Sequence, residues 1–238
     1  DGYTLMVQGS TLWLLPFLRK SASWDALRDF APVSWVTRSP NLLLVHPSLP
    51  VKSVRSLVDL AKSRPAEITY GSSGIGSAQH LDGETFKLVA GTDIVHIPYK
   101  GGGPAAVAVI SGEVSVSVNV LPAVLPFIQN GRIRCLAVTS ERRSSILPDT
   151  PTVAQSGLPG YEASVWYGVL APAKTPVAVI NRIQQETQRV INTPALREKF
   201  FGAGVETVGS SAAEFAAWIK TDMAKSGKLI RDVGIRED

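Results

Sequence analysis

Residues 68 to 80 read Ile68-Thr69-Tyr70-Gly71-Ser72-Ser73-Gly74-Ile75-Gly76-Ser77-Ala78-Gln79-His80. Ile68-Thr69-Tyr70 has the β-branched and aromatic character of a strand. It runs into a Gly- and Ser-rich turn over Gly71 to Ser77. A helix then starts near Ser77, with Leu81, Thr85 and Leu88 in line, and Gly91 stops it. The order repeats at once: Ile94 to Tyr99 is a strand, and Gly101-Gly102-Gly103-Pro104 opens a helix through Ile110. Two consecutive strand–turn–helix units predict an α/β chain with a parallel sheet and helices on both faces. Right-handed crossovers put the strand-to-helix turns along one edge of that sheet.

The alternation extends in both directions. Leu42-Leu43-Leu44-Val45 is apolar without alternation, as a parallel strand covered on both faces should be, and Ser53 caps a helix whose inner face is Val54, Leu57, Val58 and Ala61. Val114 to Val118 reads as a strand, although Ser115 and Ser117 interrupt its valines. Pro122 to Gln129 is a short helix closed by Asn130-Gly131, and Ile133 to Thr139 is a strand that holds Cys135. Residues 140 to 160 are rich in loop signals. Val165 to Leu170 is a further strand. Thr175-Pro176 and Thr193-Pro194 start helices with Pro in the first turn, the first with Ile180, Ile183 and Val190 on its apolar face. Ser211-Ala212-Ala213-Glu214 is a capping box ahead of Phe215, Trp218, Ile219 and Met223. At the other end, Asp1-Gly2-Tyr3-Thr4-Leu5-Met6-Val7 is a turn leading directly into a strand, and the start is read as processed or truncated.

Several function classes fall away. The net charge of +4 comes from scattered cations, of which Arg142-Arg143 is the longest run, so no basic stripe for a nucleic acid exists. No apolar stretch approaches about 18 residues, so none of the sequence reads as a membrane-spanning helix. One cysteine provides neither an internal disulfide nor a zinc site. A nucleophile elbow requires G-x-S-x-G, and Gly71-Ser72-Ser73-Gly74-Ile75 ends in isoleucine. A dinucleotide fingerprint requires G-x-G-x-x-G, and Gly74 to Gln79 ends in glutamine. His46, His80 and His96 form no metal-ligand spacing and read best as hydrogen-bonded framework groups. A hydrolase built on Ser73 with His80 or His96 is the enzyme alternative. The reading set against it is a binding protein with no catalytic residue, cofactor or metal.

What remains is the pair of Gly-rich turns. In an open α/β sheet such turns lie beyond the carboxyl ends of the strands, where ligands bind. Glycine lets the backbone approach a ligand, and the N–H groups of a helix's first turn lack intrahelical partners. Together they attract an anion without an arginine. Ser72, Ser73 and Ser77 are expected to add hydroxyl donors.

At this point the residues resemble a known family. Tyr70 to Ser77, then His80-Leu81-Asp82-Gly83-Glu84, then Pro98-Tyr99-Lys100-Gly101-Gly102-Gly103-Pro104 is similar to the second-lobe signature of the tripartite tricarboxylate transporter receptors, or Bug proteins. Asp1 to Leu5, Asp29-Phe30-Ala31-Pro32-Val33, Leu136 to Ser140 with Arg142, Pro148 to Thr152, Gly157 to Tyr161 and Trp166-Tyr167-Gly168 through Ala171-Pro172 resemble its other blocks, so the likeness runs the length of the chain. The resemblance implies a type II periplasmic-binding fold of two α/β lobes around a cleft: lobe one from 1–45 and 161–238, lobe two from 46–160. It implies a periplasmic, monomeric receptor for a small organic acid, with membrane permease subunits as partners and no nucleic acid. A di- or tricarboxylate, an amino acid and an aromatic acid all stay open, as does a sensor or scaffold paralogue of the same fold. Carried over by position, Ser72, Ser73, Gly74, Ile75, Gly76 and Ser77 form the carboxylate cradle. Tyr99, Lys100, Gly101 and Gly102 form its rim, with Lys100 read as a solvated cation. Asn119 lines the cleft, and Ser10 and Thr11 face it from lobe one. Trp166 and Tyr167 read equally as cleft wall and as core. Family members also carry, ahead of the D-G-Y-T-L block, a first strand and a Gly-rich turn with an aspartate, roughly two strand–helix units. From the sequence as it stands the first units of lobe one are missing, and weak binding and an exposed sheet edge are expected.

Overall fold

The computed structural model describes residues 3–19 and 21–236; the turn expected at Asp1-Gly2 lies outside them. In chain order the elements are β1 (Met6–Gln8), α1 (Thr11–Leu18), α2 (Ala26–Asp29), β2 (Phe30–Ser39), β3 (Asn41–Val45), α3 (Val54–Ser63), β4 (Thr69–Ser72), α4 (Ala78–Ala90) and β5 (Val95–Pro98). They continue with α5 (Gly102–Ser111), β6 (Val116–Val120), α6 (Leu121–Gln129), β7 (Arg134–Val138), β8 (Val165–Pro172), α7 (Val177–Ile191), α8 (Pro194–Gly202), β9 (Glu206–Thr207) and α9 (Ala212–Val233). The chain divides into two units, Asp1–Ser39 with Val165–Asp238, and Pro40–Ser164. Residues 40–45 and 161–164 therefore go with the second unit, not with the first as the division at 45/46 and 160/161 has it.

In the second unit five strands run in the order β5-β4-β6-β3-β7. Strand β4 is parallel to both β5 and β6, whereas β3 is antiparallel to β6 and to β7. The all-parallel sheet expected from the alternation is thus a mixed one. Double-sided burial was a true signal in β3, but it reports cover and not direction. Leu43 and Val45 join one core with Val54, Leu57, Tyr70 and Phe86, and Leu42 and Leu44 join the other with Ala106, Val109, Leu121 and Val124. Ser117, which made β6 an uncertain strand, is buried because its hydroxyl donates to the Gly71 carbonyl at 3.2 Å. Local signals set the helix ends. Ser53 makes a capping box with Ser56, Ser77 caps α4, and Gly91 closes α4 in the left-handed conformation. The inner face of α4 departs from the expected line of Leu81, Thr85 and Leu88. Leu88 is 60% exposed, and the buried positions include Gln79, His80, Asp82 and Glu84. That face is polar because it meets polar partners, described below.

The first unit holds an antiparallel sheet in the order β1-β8-β2-β9. Its longest strand, β2, carries Pro32 and polar residues that hide it from pattern reading. Register shifts between Pro32 and Ser34 and between Trp35 and Thr37 mark bulges, where a proline costs no ladder bond. The core is aromatic. Trp13 stacks on Trp166 with ring centroids 4.2 Å apart, and Phe215 meets both edge-on. The Trp13 indole donates to Asp222 at 2.8 Å, which satisfies a buried N–H. Helix α9 begins at the predicted capping box of Ser211 and Glu214. Helix α7 does not start as expected: Pro176 holds the N-cap position, Thr175 lies before it, and Val190 faces outward.

Gly168 on β8 lies directly under the Phe215 ring. A Cβ there would fall 2.2 Å from Phe215 Cζ and 2.9 Å from the Ser34 carbonyl oxygen. Gly168→Ala should therefore lower stability by about 1–3 kcal/mol, read from the urea midpoint. Gly202→Ala, with no atom within 4 Å of the new carbon, should leave the midpoint unchanged or slightly raised.

Candidate functional site

Because β4, β5 and β6 run parallel, their carboxyl ends at Ser72, Pro98 and Val120 share one edge of the second unit's sheet. Each end leads into a helix, and the first two do so through the Gly-rich turns. Those turns are bonded together: the Tyr99 amide donates to the Ser72 carbonyl at 3.0 Å, and the Gly101 amide to the Ser73 carbonyl at 3.1 Å. Gly74 and Gly76 hold φ of 129° and 72°, and Gly101 holds 111°, values that a side chain would strain. The N–H groups of Ile75, Ala78 and Gln79 at the start of α4, and of Gly102 and Gly103 at the start of α5, donate to no acceptor among the described residues. Two helix ends, each with a partial positive charge, thus open on the same sheet edge.

The serines are used differently from expectation. Ser72 has no exposed surface, and its hydroxyl sits 2.7 Å from His96 Nε2 and accepts the Gly74 amide. The Ser73 hydroxyl donates to Gln79 Oε1 at 2.6 Å. Ser77 accepts the His80 amide as N-cap and donates to the Gly74 carbonyl at 2.7 Å. All three hydroxyls shape the turn. Ile75 stands at its tip, 39% exposed. On the rim, Lys100 is exposed. The Tyr99 hydroxyl donates to Glu113 at 2.7 Å; burial and that carboxylate push the phenol up to about 12. Asn119 is buried and donates from Nδ2 to the Gly102 carbonyl at 2.8 Å, while its Oδ1 accepts the Val120 amide. It is a strut beneath the first turn of α5, so close that a Cβ on Gly102 would meet its Oδ1 at 2.8 Å.

In the first unit, Ser10 is the N-cap of α1 with no side-chain cap bond, and Thr11 is exposed. Trp166 and Tyr167, each read equally as cleft wall and as core, differ in burial. Trp166 is buried in the aromatic core, whereas Tyr167 is 45% exposed beside Gly9.

A buried polar network behind the cradle went unread in the sequence. Gln79 links Ser73 to Asn41, whose Nδ2 donates to Asp82. The Tyr70 hydroxyl donates to Glu84 Oε1 at 2.8 Å, and Lys87 pairs with the same carboxylate at 2.9 Å. His80 Nδ1 accepts the Gly76 amide at 3.1 Å, and the His80 and His96 rings stack at 3.8 Å. Burial holds both imidazoles below their usual value, His96 at about 3 with the cationic forms of His80 and Lys87 adding to the shift. The available signal was the run of polar residues at Gln79, His80, Asp82 and Glu84 straight after a Gly-rich turn, on a helix whose only large apolar inward residues are Leu81 and Phe86. The network also bears on the hydrolase alternative. Ser73 pairs with Gln79 and not with a histidine, and Ser72, the serine of this turn whose hydroxyl meets a histidine ring, is fully enclosed. Among the described residues no group of three or more His, Cys, Asp or Glu could hold a metal ion. Burial pushes the Cys135 thiol up to about 12, which makes it a poor nucleophile.

A model of the family described as "Tripartite tricarboxylate transporter family receptor" matches residues 1–235. Protein BugT of Bordetella pertussis is 33% identical over 238 residues, which cover 99% of this chain and 73% of that protein. A solved structure of R. palustris Rpa4515 with adipate is 34% identical, with a TM-score of 0.93 over 99% of this chain and 79% of the other. The periplasmic binding protein BugD is 26% identical, with a TM-score of 0.90 over 100% of this chain and 80% of the other.

The depressed histidines give a stability signature. The folded pKa lies below the ordinary value near 6.5, so the neutral ring favours the fold. That contribution is complete above about pH 6.5 and is lost as pH falls toward the His96 value of about 3. His96→Gln keeps a polar atom near Ser72 but does not titrate. Its urea midpoint should fall less steeply than the parent's below about pH 6.5; parallel curves would refute the assignment.

Proposed function

The chain belongs to the tripartite tricarboxylate transporter receptor family, and on that premise we propose that it captures a small organic carboxylate outside the cytoplasm and presents it to the membrane subunits of such a transporter. The observation that carries the reading is the pair of bonded Gly-rich turns, with N–H groups at two helix starts that have no acceptor among the described residues. A carboxylate accepts hydrogen bonds from several such donors at once, each worth about 1.5–3 kcal/mol to a charged group. Each helix end adds about 0.3–1 kcal/mol. Backbone donors recognise the carboxylate and leave the rest of the molecule to the surrounding side chains, here Ile75 and Lys100 on the rim. Rpa4515, at 34% identity, was solved with adipate, which supports a dicarboxylate as the first class to try.

The residues assigned to the cradle are Ser73 to Ser77 with Gly101 to Gly103, through their backbone. Ser72 and Asn119 act as supports. The Ser73 hydroxyl donates to Gln79 Oε1, an amide oxygen that cannot serve as a general base, which favours binding over hydrolysis. No helix among the described residues is long and apolar enough to cross a membrane.

A thermal-shift panel of adipate, malate, citrate, glutamate and benzoate, with the matching amides as controls, tests the reading. At least one acid should raise Tm with concentration, by the equivalent of about 2.7 kcal/mol at a hundredfold excess over Kd, and its amide should not. No shift with any acid would count against carboxylate capture. Gly102→Ala, which displaces Asn119 from beneath α5, should weaken the responding acid by about tenfold, or about 1.4 kcal/mol.

A further inference from the structure

The turn that holds the cradle depends on few bonds. Ser77 ties its Oγ and its amide to the Gly74 carbonyl, Ser72 takes the Gly74 amide, and His80 Nδ1 takes the Gly76 amide. That last tie lies between the free N–H groups of Ile75 and Ala78, on a residue at φ of 72° with no side chain of its own to hold it. An Nδ1 that accepts a hydrogen bond belongs to a neutral ring with its proton on Nε2.

We infer that His80 is a positioning residue for the cradle: as a neutral imidazole it fixes the Gly76 amide and with it the turn, and on protonation it releases the turn and weakens anion binding. The inference rests on the receptor reading above.

Protonation would put an N–H on Nδ1 facing the N–H of Gly76, two donors with no acceptor between them. The charged groups around the ring decide what the added proton does. On α4 itself, Glu84 Oε1 lies 4.0 Å from His80 Nε2, and Lys87 pairs with Glu84. From β5, His96 stacks on the ring at 3.8 Å and is tied to Ser72. From β4, Tyr70 donates to Glu84 and to the His80 carbonyl. Asp82 lies on the same helix, its carbonyl held by Tyr161. A positive ring would attract an anion, but Glu84 stands against Nε2 and offsets that charge. Nothing offsets the lost acceptor at Gly76. Burial lowers the His80 value, Glu84 opposes it and Lys87 adds to the lowering, so the change falls below the ordinary histidine value near 6.5.

The test compares the parent with His80→Asn and His80→Gln. Asparagine can place an amide oxygen where Nδ1 lies and does not titrate; glutamine reaches past that position toward Nε2. Amide spectra without ligand, from about pH 7.5 to 5, read the tie directly, and adipate titrations at the two ends read its consequence. In the parent, the Gly76, Ile75 and Ala78 amides should move together as pH falls, and the adipate Kd should rise by about tenfold. In His80→Asn those amides should hold still, and Kd should change by less than about threefold. At the upper pH, His80→Gln should weaken adipate by about tenfold, and His80→Asn should recover most of that loss. If His80→Gln does not fold, His80→Asn against the parent decides. Parent amides that ignore pH, or a binding profile that His80→Asn leaves unaltered, would overturn the inference. Failure of adipate to bind the parent at either pH would count instead against the receptor reading for dicarboxylates, and the amide spectra alone would then decide the role of His80.

Discussion

Two hydrogen bonds, from the Tyr99 amide to the Ser72 carbonyl and from the Gly101 amide to the Ser73 carbonyl, extend the β4–β5 ladder past its strands and hold two Gly-rich turns as one body. Everything proposed for the second unit depends on that pairing. It sets the starts of α4 and α5 side by side at one sheet edge, where each leaves N–H groups without partners among the described residues. A single helix start is an ordinary feature of any α/β sheet. Two of them bonded together, with glycine where side chains would stand, form a surface of donors that suits a carboxylate better than any neutral group.

The pairing has to be kept in shape, and the polar interior behind it does so. Asn119 supports α5 from β6, Ser77 closes the α4 turn, and His80 holds Gly76. Beyond them Gln79, Asn41 and Asp82 are bonded in one chain and Tyr70 and Glu84 in another, which makes the inward side of the near half of α4 mostly polar, with Leu81 as its large apolar residue. Such a network is costly unless its members are satisfied, and those bonds satisfy it. Rigidity is what the arrangement gains: donors already in place need no ordering when the ligand arrives.

Much of this was legible in the residues. The turns, the caps at Ser53, Ser77 and Ser211, the stop at Gly91 and the strand–helix alternation of the second unit follow from local chemistry that acts over a few residues, and so did the family likeness. Other features depend on partners distant in the chain. The direction of β3 is set by β6 and β7, and Leu42 to Val45 would read the same in either sense. β2 is hidden by Pro32, which only its bulged register explains. Trp166 could be assigned to the core only once Trp13, Trp218 and Phe215 were seen around it. The serines of the turn were read as ligand donors because a hydroxyl's partner is invisible in sequence. In the fold Gln79, His96 and the Gly74 backbone claim them.

In the proposed function, backbone amides at these two helix starts hold the carboxylate. A titration of 15N-labelled protein with the acid that gives the largest thermal shift tests it most directly. Saturable shifts should appear at the amides of Ile75, Ala78, Gln79, Gly102 and Gly103. Saturable binding that leaves those five amides in place while others move would contradict it.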